Sequence, residues 1–351
     1  MDTPSQFGCN VRLEGARIAG IVAAIPSRRI DNRSFESEFG ERAVAEIAKM
    51  TGVETRYWAA ENVTAADLCV GAAQHLLSRL EWDPRSVGAL IYVTQTPDLR
   101  MPATACTLQA RLGLSTACAA LDVNLGCSGY PYGLWLAMSL LRSGLDRVLL
   151  LVGDTISKTV DAKDRSTALL FGDAGSATAI ERGCNDELAQ FVLGSDGSGA
   201  RNLMIPAGGF RHSVKDDARL LGRDESKLFM DGGEIFNFTL RAVPGLVSQV
   251  LEAAGAVAGK IDSFVFHQAN LFMLRHLARK LKIDSARFPV NIERYGNTSS
   301  ASIPLVITSE LGQSLRSRRM TMVLAGFGVG YSWAATVIPV GPLRCAEVLT
   351  L

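Results

Sequence analysis

Residues 121–141 read LDVNLGCSGYPYGLWLAMSLL. Leu121, Val123 and Leu125 alternate with polar residues as in a strand, Gly126 permits a sharp turn, and Tyr132 to Leu141 continues with the spacing of an apolar-faced helix. Cys127 therefore sits at a strand-to-helix elbow. Unpaired N–H groups at a helix start favour negative charge, so a thiolate there is stabilised and becomes a usable nucleophile near neutral pH. Its own N–H is also placed to help hold an oxyanion. A cysteine that merely packs fits the elbow as well, and the local sequence leaves both readings open.

The same alternation extends along the chain. Apolar, β-branched runs at Ala89 to Thr94, Arg147 to Val152, Ser263 to Phe266 and Thr321 to Ala325 read as buried strands. Segments of helical period lie between them at Ala65 to Leu80, Ala103 to Leu112, Tyr132 to Leu141 and Ile235 to Ala254. The order of strand and helix signals occurs twice, with a short strand near Phe288 in the second pass. This predicts an α/β protein of two duplicated halves, residues 1–185 carrying the cysteine and residues 186–351 carrying the histidine and asparagine discussed below. Gly194 to Leu228, rich in Gly, Arg and Asp, reads as an irregular insertion.

Composition narrows the classes of function. Lys plus Arg is 36 and Asp plus Glu is 35, a formal net charge of +1 with no block of like sign, which argues against a general grip on nucleic acid. No apolar run approaches the roughly 20 residues of a membrane span. With an acid at position 2 and no apolar core of signal-peptide length, the N-terminus reads as cytoplasmic. Seven scattered cysteines with no C-x-x-C pair suggest neither a disulfide framework nor a zinc site, so no metal or cofactor is expected.

Two further residues invite attention. His267 follows the apolar run SFVF, and strand ends in α/β proteins point into the crevice where ligands bind. Asn297 stands in the loop YGNTSSASIP that opens another helix. Singly, His267 fits a satisfied core histidine and Asn297 a turn residue or helix cap. Three such groups at strand or helix ends of facing half-repeats are harder to assign to packing and capping alone.

DVNLGCSGYPYGL, DRSTALLFGDAGSA, HQAN, GNTSSASIPL and GFGVGYSW, in this order, resemble the signature of the β-ketoacyl-acyl-carrier-protein synthase III family, from about Ile21 to Pro339. The resemblance implies a thiolase fold, two α/β halves in a five-layered αβαβα arrangement, and a cytoplasmic, cofactor-free homodimer. It implies that Cys127 carries the acyl group of a primer thioester, delivered on coenzyme A or a carrier protein. His267 and Asn297 would then stabilise the enolate formed when a malonyl thioester on an acyl carrier protein loses carbon dioxide. The backbone N–H groups of Cys127 and Val329 would form the oxyanion hole, with Val329 standing where the family usually has glycine. Met101 would shape the end of the partner's acyl pocket, although plain interface packing serves it equally.

Other positions depart from the pattern. The family commonly carries W-x-x-x-R-T-G, clamping adenine, where this chain has Glu46 and Met50 in EIAKMTGV. Phe272 replaces the arginine that often follows HQANL. Arg275, Arg279 and Lys280 could keep a basic surface for carrier-protein docking, or be a solvated helix face. From the missing adenine clamp a primer arriving mainly on carrier protein is expected. A relative that passes the acyl group to an oxygen or nitrogen nucleophile is the alternative enzyme reading. A catalytically silent carrier-binding partner is disfavoured because all three catalytic residue types are present.

Overall fold

The computed structural model of the chain describes residues 7–184, 187–211 and 217–351. In chain order the main strands are β1 (Cys9–Glu14), β2 (Ala16–Ile25), β3 (Ala89–Val93), β4 (Ala119–Val123), β5 (Arg147–Asp154), β6 (Ala174–Arg182), β7 (Leu188–Ser195), β8 (Ser263–Phe266), β9 (Met320–Gly328), β10 (Ser332–Val340) and β11 (Cys345–Thr350). The principal helices are α1 (Glu41–Thr51), α2 (Ala65–Leu80), α3 (Thr104–Arg111), α4 (Gly129–Arg142), α5 (Gly232–Ala253), α6 (Leu271–Lys280) and α7 (Ser302–Val306), the last continuing through a π turn at Ile307–Leu311 into α8 (Gly312–Ser317).

Six strands form one sheet in the order β11-β2-β6-β5-β3-β4, and five form a second in the order β1-β7-β10-β9-β8. The two share a plan. β2, β6 and β5 pair antiparallel in turn and β3 lies parallel to β5, just as β7, β10 and β9 pair antiparallel and β8 lies parallel to β9. The terminal strands are exchanged, for β1 pairs with β7 and β11 with β2. Among the described residues β4 has no counterpart, and the short strand expected near Phe288 is not formed. A 3₁₀ turn at Ser285–Arg287 stands there, with the Asp284 carboxylate accepting from the Ala286 N–H at 2.9 Å. Phe288 then packs edge-on against Phe266 at 5.0 Å, so one anchored ring replaces a ladder of hydrogen bonds.

β3 is buried at every position and β5 at all but its first, as expected for strands covered on both faces. Between the sheets, α4 and the 302–317 run pack Leu134, Met138, Ile303 and Val306 against Leu150 of one sheet and Leu324 of the other. α2 and α3 cover the outer face of the six-stranded sheet, and α5 and α6 that of the five-stranded sheet. The result is the expected five-layered αβαβα architecture. Among the described residues no helix is long and apolar enough to cross a membrane.

Candidate active site

Cys127 lies in the elbow between β4 and α4, closed by a hydrogen bond from the Gly129 N–H to the Gly126 carbonyl at 2.7 Å. β9 runs directly against it. A Cβ on Gly328 would stand 2.7 Å from the Cys127 Cβ and 2.8 Å from its sulfur, and one on Gly326 would stand 2.8 Å from its carbonyl oxygen, so only glycine allows this approach. The N–H groups of Val329 and of Cys127 itself both reach the sulfur and favour a thiolate. Burial opposes them and dominates, pushing the thiol up to about 11. The lowered thiol expected from the helix start is thereby corrected, because exclusion of water outweighs two backbone dipoles.

A consequence is measurable. The thiolate fraction of such a group grows about tenfold per pH unit until its pKa is approached. Alkylation of Cys127 by iodoacetamide, followed by the mass of the labelled peptide, is expected to keep rising from about pH 7 to beyond pH 9. A plateau at or below pH 9 would contradict the burial argument.

His267 directly follows β8, and its N–H extends the ladder to the Ala325 carbonyl at 2.9 Å. Its Nδ1 is 2.7 Å from the Ser302 hydroxyl, and its ring meets Phe327 edge-on at 5.7 Å. Burial lowers its pKa to about 3, slightly offset by the Ser299 main chain, so the ring is neutral throughout the physiological range. Asn297 is fixed through its backbone, with its N–H on the Leu170 carbonyl at 2.9 Å and its carbonyl accepting from Gly172 at 3.1 Å. Its Oδ1 accepts from the Ser299 N–H at 2.9 Å, a turn bond, while Nδ2 donates to the Ala269 carbonyl at 3.3 Å. Asn297 caps no helix. Its amide instead joins its own loop to the HQAN segment.

Cys127, His267 and Asn297 line one cavity, together with Phe327 and Gly328. Two halves of the chain thus deliver a thiol, a neutral imidazole and a carboxamide to the same apolar space. That space continues into a wider outer cavity through Leu170, Met230, Asn270 and Met273. Glu46, Met50 and Phe272 stand on this outer cavity, as does Arg165, a cation that motif reading did not single out. The Glu46 carboxylate is held by Arg42 at 2.9 Å, which offsets its charge. Phe272 rests on Phe236 at 5.4 Å between centroids.

The remaining sequence-predicted residues lie elsewhere. Arg275, Arg279 and Lys280 are exposed on α6 and form no ion pair among the described residues, though the Lys280 ammonium donates to the Leu240 carbonyl at 3.0 Å. Met101 is 76% exposed on the single chain and does not line the cavity of Cys127. His75, Cys345 and Glu347 bring ligand-type atoms within 4.8 Å of one another. Arg79 at 3.0 Å and Arg316 at 3.8 Å already occupy that carboxylate, so the group is an ion-pair network. Ser302 and Phe327, which orient the histidine, went unassigned although both lie within quoted motifs; only the fold shows which hydroxyl and which ring face His267.

A family model described as 3-Oxoacyl-[acyl-carrier-protein (ACP)] synthase III matches residues 121–197, and one for the C-terminal part of the same enzymes matches residues 251–340. The β-ketoacyl-[acyl-carrier-protein] synthase III of Staphylococcus epidermidis is 37% identical over 326 residues, covering 92% of this chain and 98% of the relative. A crystal structure of a 3-oxoacyl-(acyl-carrier protein) synthase from Burkholderia xenovorans superimposes with a TM-score of 0.97 at 53% identity, covering 98% of this chain and 99% of the other. The synthase III of Pseudomonas aeruginosa superimposes with a TM-score of 0.82 at 33% identity over 93% of this chain and 98% of its own.

Proposed function

The chain belongs to the 3-oxoacyl-[acyl-carrier-protein] synthase III family, and on that premise we propose that it condenses an acyl primer with malonyl-acyl carrier protein through an acyl-cysteine. The observation that carries this reading is the convergence of Cys127, a neutral His267 and Asn297 on one apolar cavity. The Cys127 sulfur attacks the primer thioester, and the N–H groups of Cys127 and Val329 hold the oxyanion. Collapse expels the carrier thiol, which takes up the proton that the cysteine loses, so acylation needs no net base. A histidine with its pKa near 3 is a poor store for that proton but a good neutral hydrogen-bond donor.

In the second half-reaction the bond between the malonyl methylene and its carboxylate breaks and carbon dioxide leaves. The enolate oxygen is received by the Asn297 amide and by His267 Nε2–H, the tautomer set when Nδ1 accepts from the Ser302 hydroxyl. The enolate carbon attacks the acyl-cysteine, a 3-oxoacyl product departs, and the released thiolate takes a proton from solvent. Incubating the enzyme with acyl thioesters and malonyl-carrier tests the reading by the mass added to Cys127, carbon dioxide release and the 3-oxoacyl product. A wild-type enzyme that acylates but releases no carbon dioxide would instead be a transferase to an oxygen or nitrogen nucleophile.

The proposed enzyme is a cytoplasmic homodimer. Supporting the dimer, β4 is an edge strand with no fully buried residue, and Leu99 and Met101 are exposed apolar side chains at 57% and 76%. A second copy would cover them and bring Met101 to the partner's pocket. For the donor, the outer cavity offers Met50, Phe272 and a Glu46–Arg42 pair in place of an indole and guanidinium clamp. Lost base stacking costs about 1 to 3 kcal/mol, or roughly tenfold or more. Acylation of Cys127 is therefore expected to be about tenfold faster from a carrier protein than from coenzyme A bearing the same acyl group at matched concentration. Equal rates would reject carrier preference and leave the condensing mechanism standing.

A further inference from the structure

Asp154, at the end of β5, has no accessible surface and no ion pair among the described residues. A buried carboxylate of this kind persists only where hydrogen bonds replace water, and here its two oxygens take their donors from different places. Oδ1 accepts from the Gln95 N–H at 2.8 Å and the Thr94 hydroxyl at 3.2 Å. Gln95 in turn lies over Gly126, where an added Cβ would meet its Oε1 at 2.3 Å, so this side of the carboxylate braces the elbow that carries Cys127. Oδ2 accepts from the Ser300 hydroxyl at 2.7 Å and the Ser300 N–H at 3.3 Å.

Ser300 follows the residue on which the other half of the site turns. Ser299 has φ +50°, a left-handed conformation that residues with a Cβ seldom adopt and that surrounding contacts must hold. It is gripped from both sides, by Asp154 through Ser300 and by Asn297 Oδ1 through its own N–H at 2.9 Å. Its main chain also lies against His267. The orientation of the Asn297 amide is thus tied to a turn whose far end is anchored on Asp154.

We propose that Asp154 is a positioning residue that sets the Asn297 amide and the His267 ring relative to the Cys127 sulfur, one oxygen holding the nucleophile's loop and the other the enolate-binding loop. This rests on the condensing reading given above. Because the two half-reactions use different groups, displacement of the Ser299–Ser300 turn should damage one more than the other.

The test uses Ser300→Ala, which removes one donor from Oδ2, and Asp154→Asn, whose amide cannot accept on both sides. Acyl transfer to Cys127 is read by mass, and malonyl-carrier decarboxylation by the pre-acylated enzyme is read by carbon dioxide release. Ser300→Ala is expected to acylate within about threefold of wild type and to decarboxylate about tenfold or more slowly. The Asp154→Asn/Ser300→Ala double variant should decarboxylate no more slowly than Asp154→Asn, since both substitutions cut one link. Undiminished decarboxylation in Ser300→Ala, an equal fall of both half-reactions, or additive losses in the double variant would overturn the proposal. If Asp154→Asn does not fold, Ser300→Ala decides alone by the same split. A wild-type enzyme without decarboxylation would refute the condensing reading itself, an outcome distinct from any of these.

Discussion

Cys127→Ala is expected to form no acyl-enzyme, and condensation should fall by on the order of 10⁴-fold or more, to background. The size of the effect follows from the absence of a substitute. Cys69 and Cys345 are buried in other packing environments, the first with burial pushing its thiol up to about 12. Cys9, Cys106 and Cys184 are exposed and Cys118 is half-buried, and none of them lines the cavity that holds His267 and Asn297. Alanine removes a single sulfur atom from the elbow and leaves the glycine contacts of β9 in place, so the melting temperature should change little. Mass spectrometry of the enzyme after incubation with an acyl thioester checks the prediction. An acyl group trapped on Cys106 or Cys118 would show the proposed mechanism to be wrong.

The parts of this site legible in the sequence are those set by local pattern. The elbow before α4 follows from an alternating run, a glycine and an apolar helical face, and the end of β8 follows from three consecutive apolar residues, Phe264 to Phe266. Contacts between halves carry no such signal. Asp154 and Ser300 lie far apart in the chain, and nothing near either one points to the other. The exchange of β1 and β11 between sheets is hidden for the same reason, because each strand looks locally like any other. The upward shift of the Cys127 thiol is hidden from the sequence for a different reason. A helix start can be inferred from residue order, but depth beneath β9 cannot, and depth sets the larger effect. Near Phe288, an apolar residue beside turn formers reads as a strand, whereas the Asp284 turn prevails locally.

Asn297→Ala is expected to divide the reaction, leaving acylation of Cys127 within a few-fold of wild type and slowing malonyl decarboxylation by about 10² to 10³, the cost of removing one donor to a developing oxyanion. Alanine, however, removes two things at once, the Nδ2 donor and the Oδ1 atom that accepts from the Ser299 N–H at 2.9 Å. Asn297→Asp separates them. The carboxylate keeps an acceptor for Ser299 and has nearly the same shape, but it donates no hydrogen bond when ionised and places a negative charge where the enolate forms. If the amide acts as a donor, aspartate should decarboxylate no better than alanine. If its task is only to hold the Ser299 turn, aspartate should recover most of the lost rate. His267→Ala offers the parallel comparison, since a ring kept neutral by burial can donate one hydrogen bond to the same oxygen. Loss of acylation with decarboxylation intact, in any of the three variants, would reverse the assigned division of labour between sulfur and enolate.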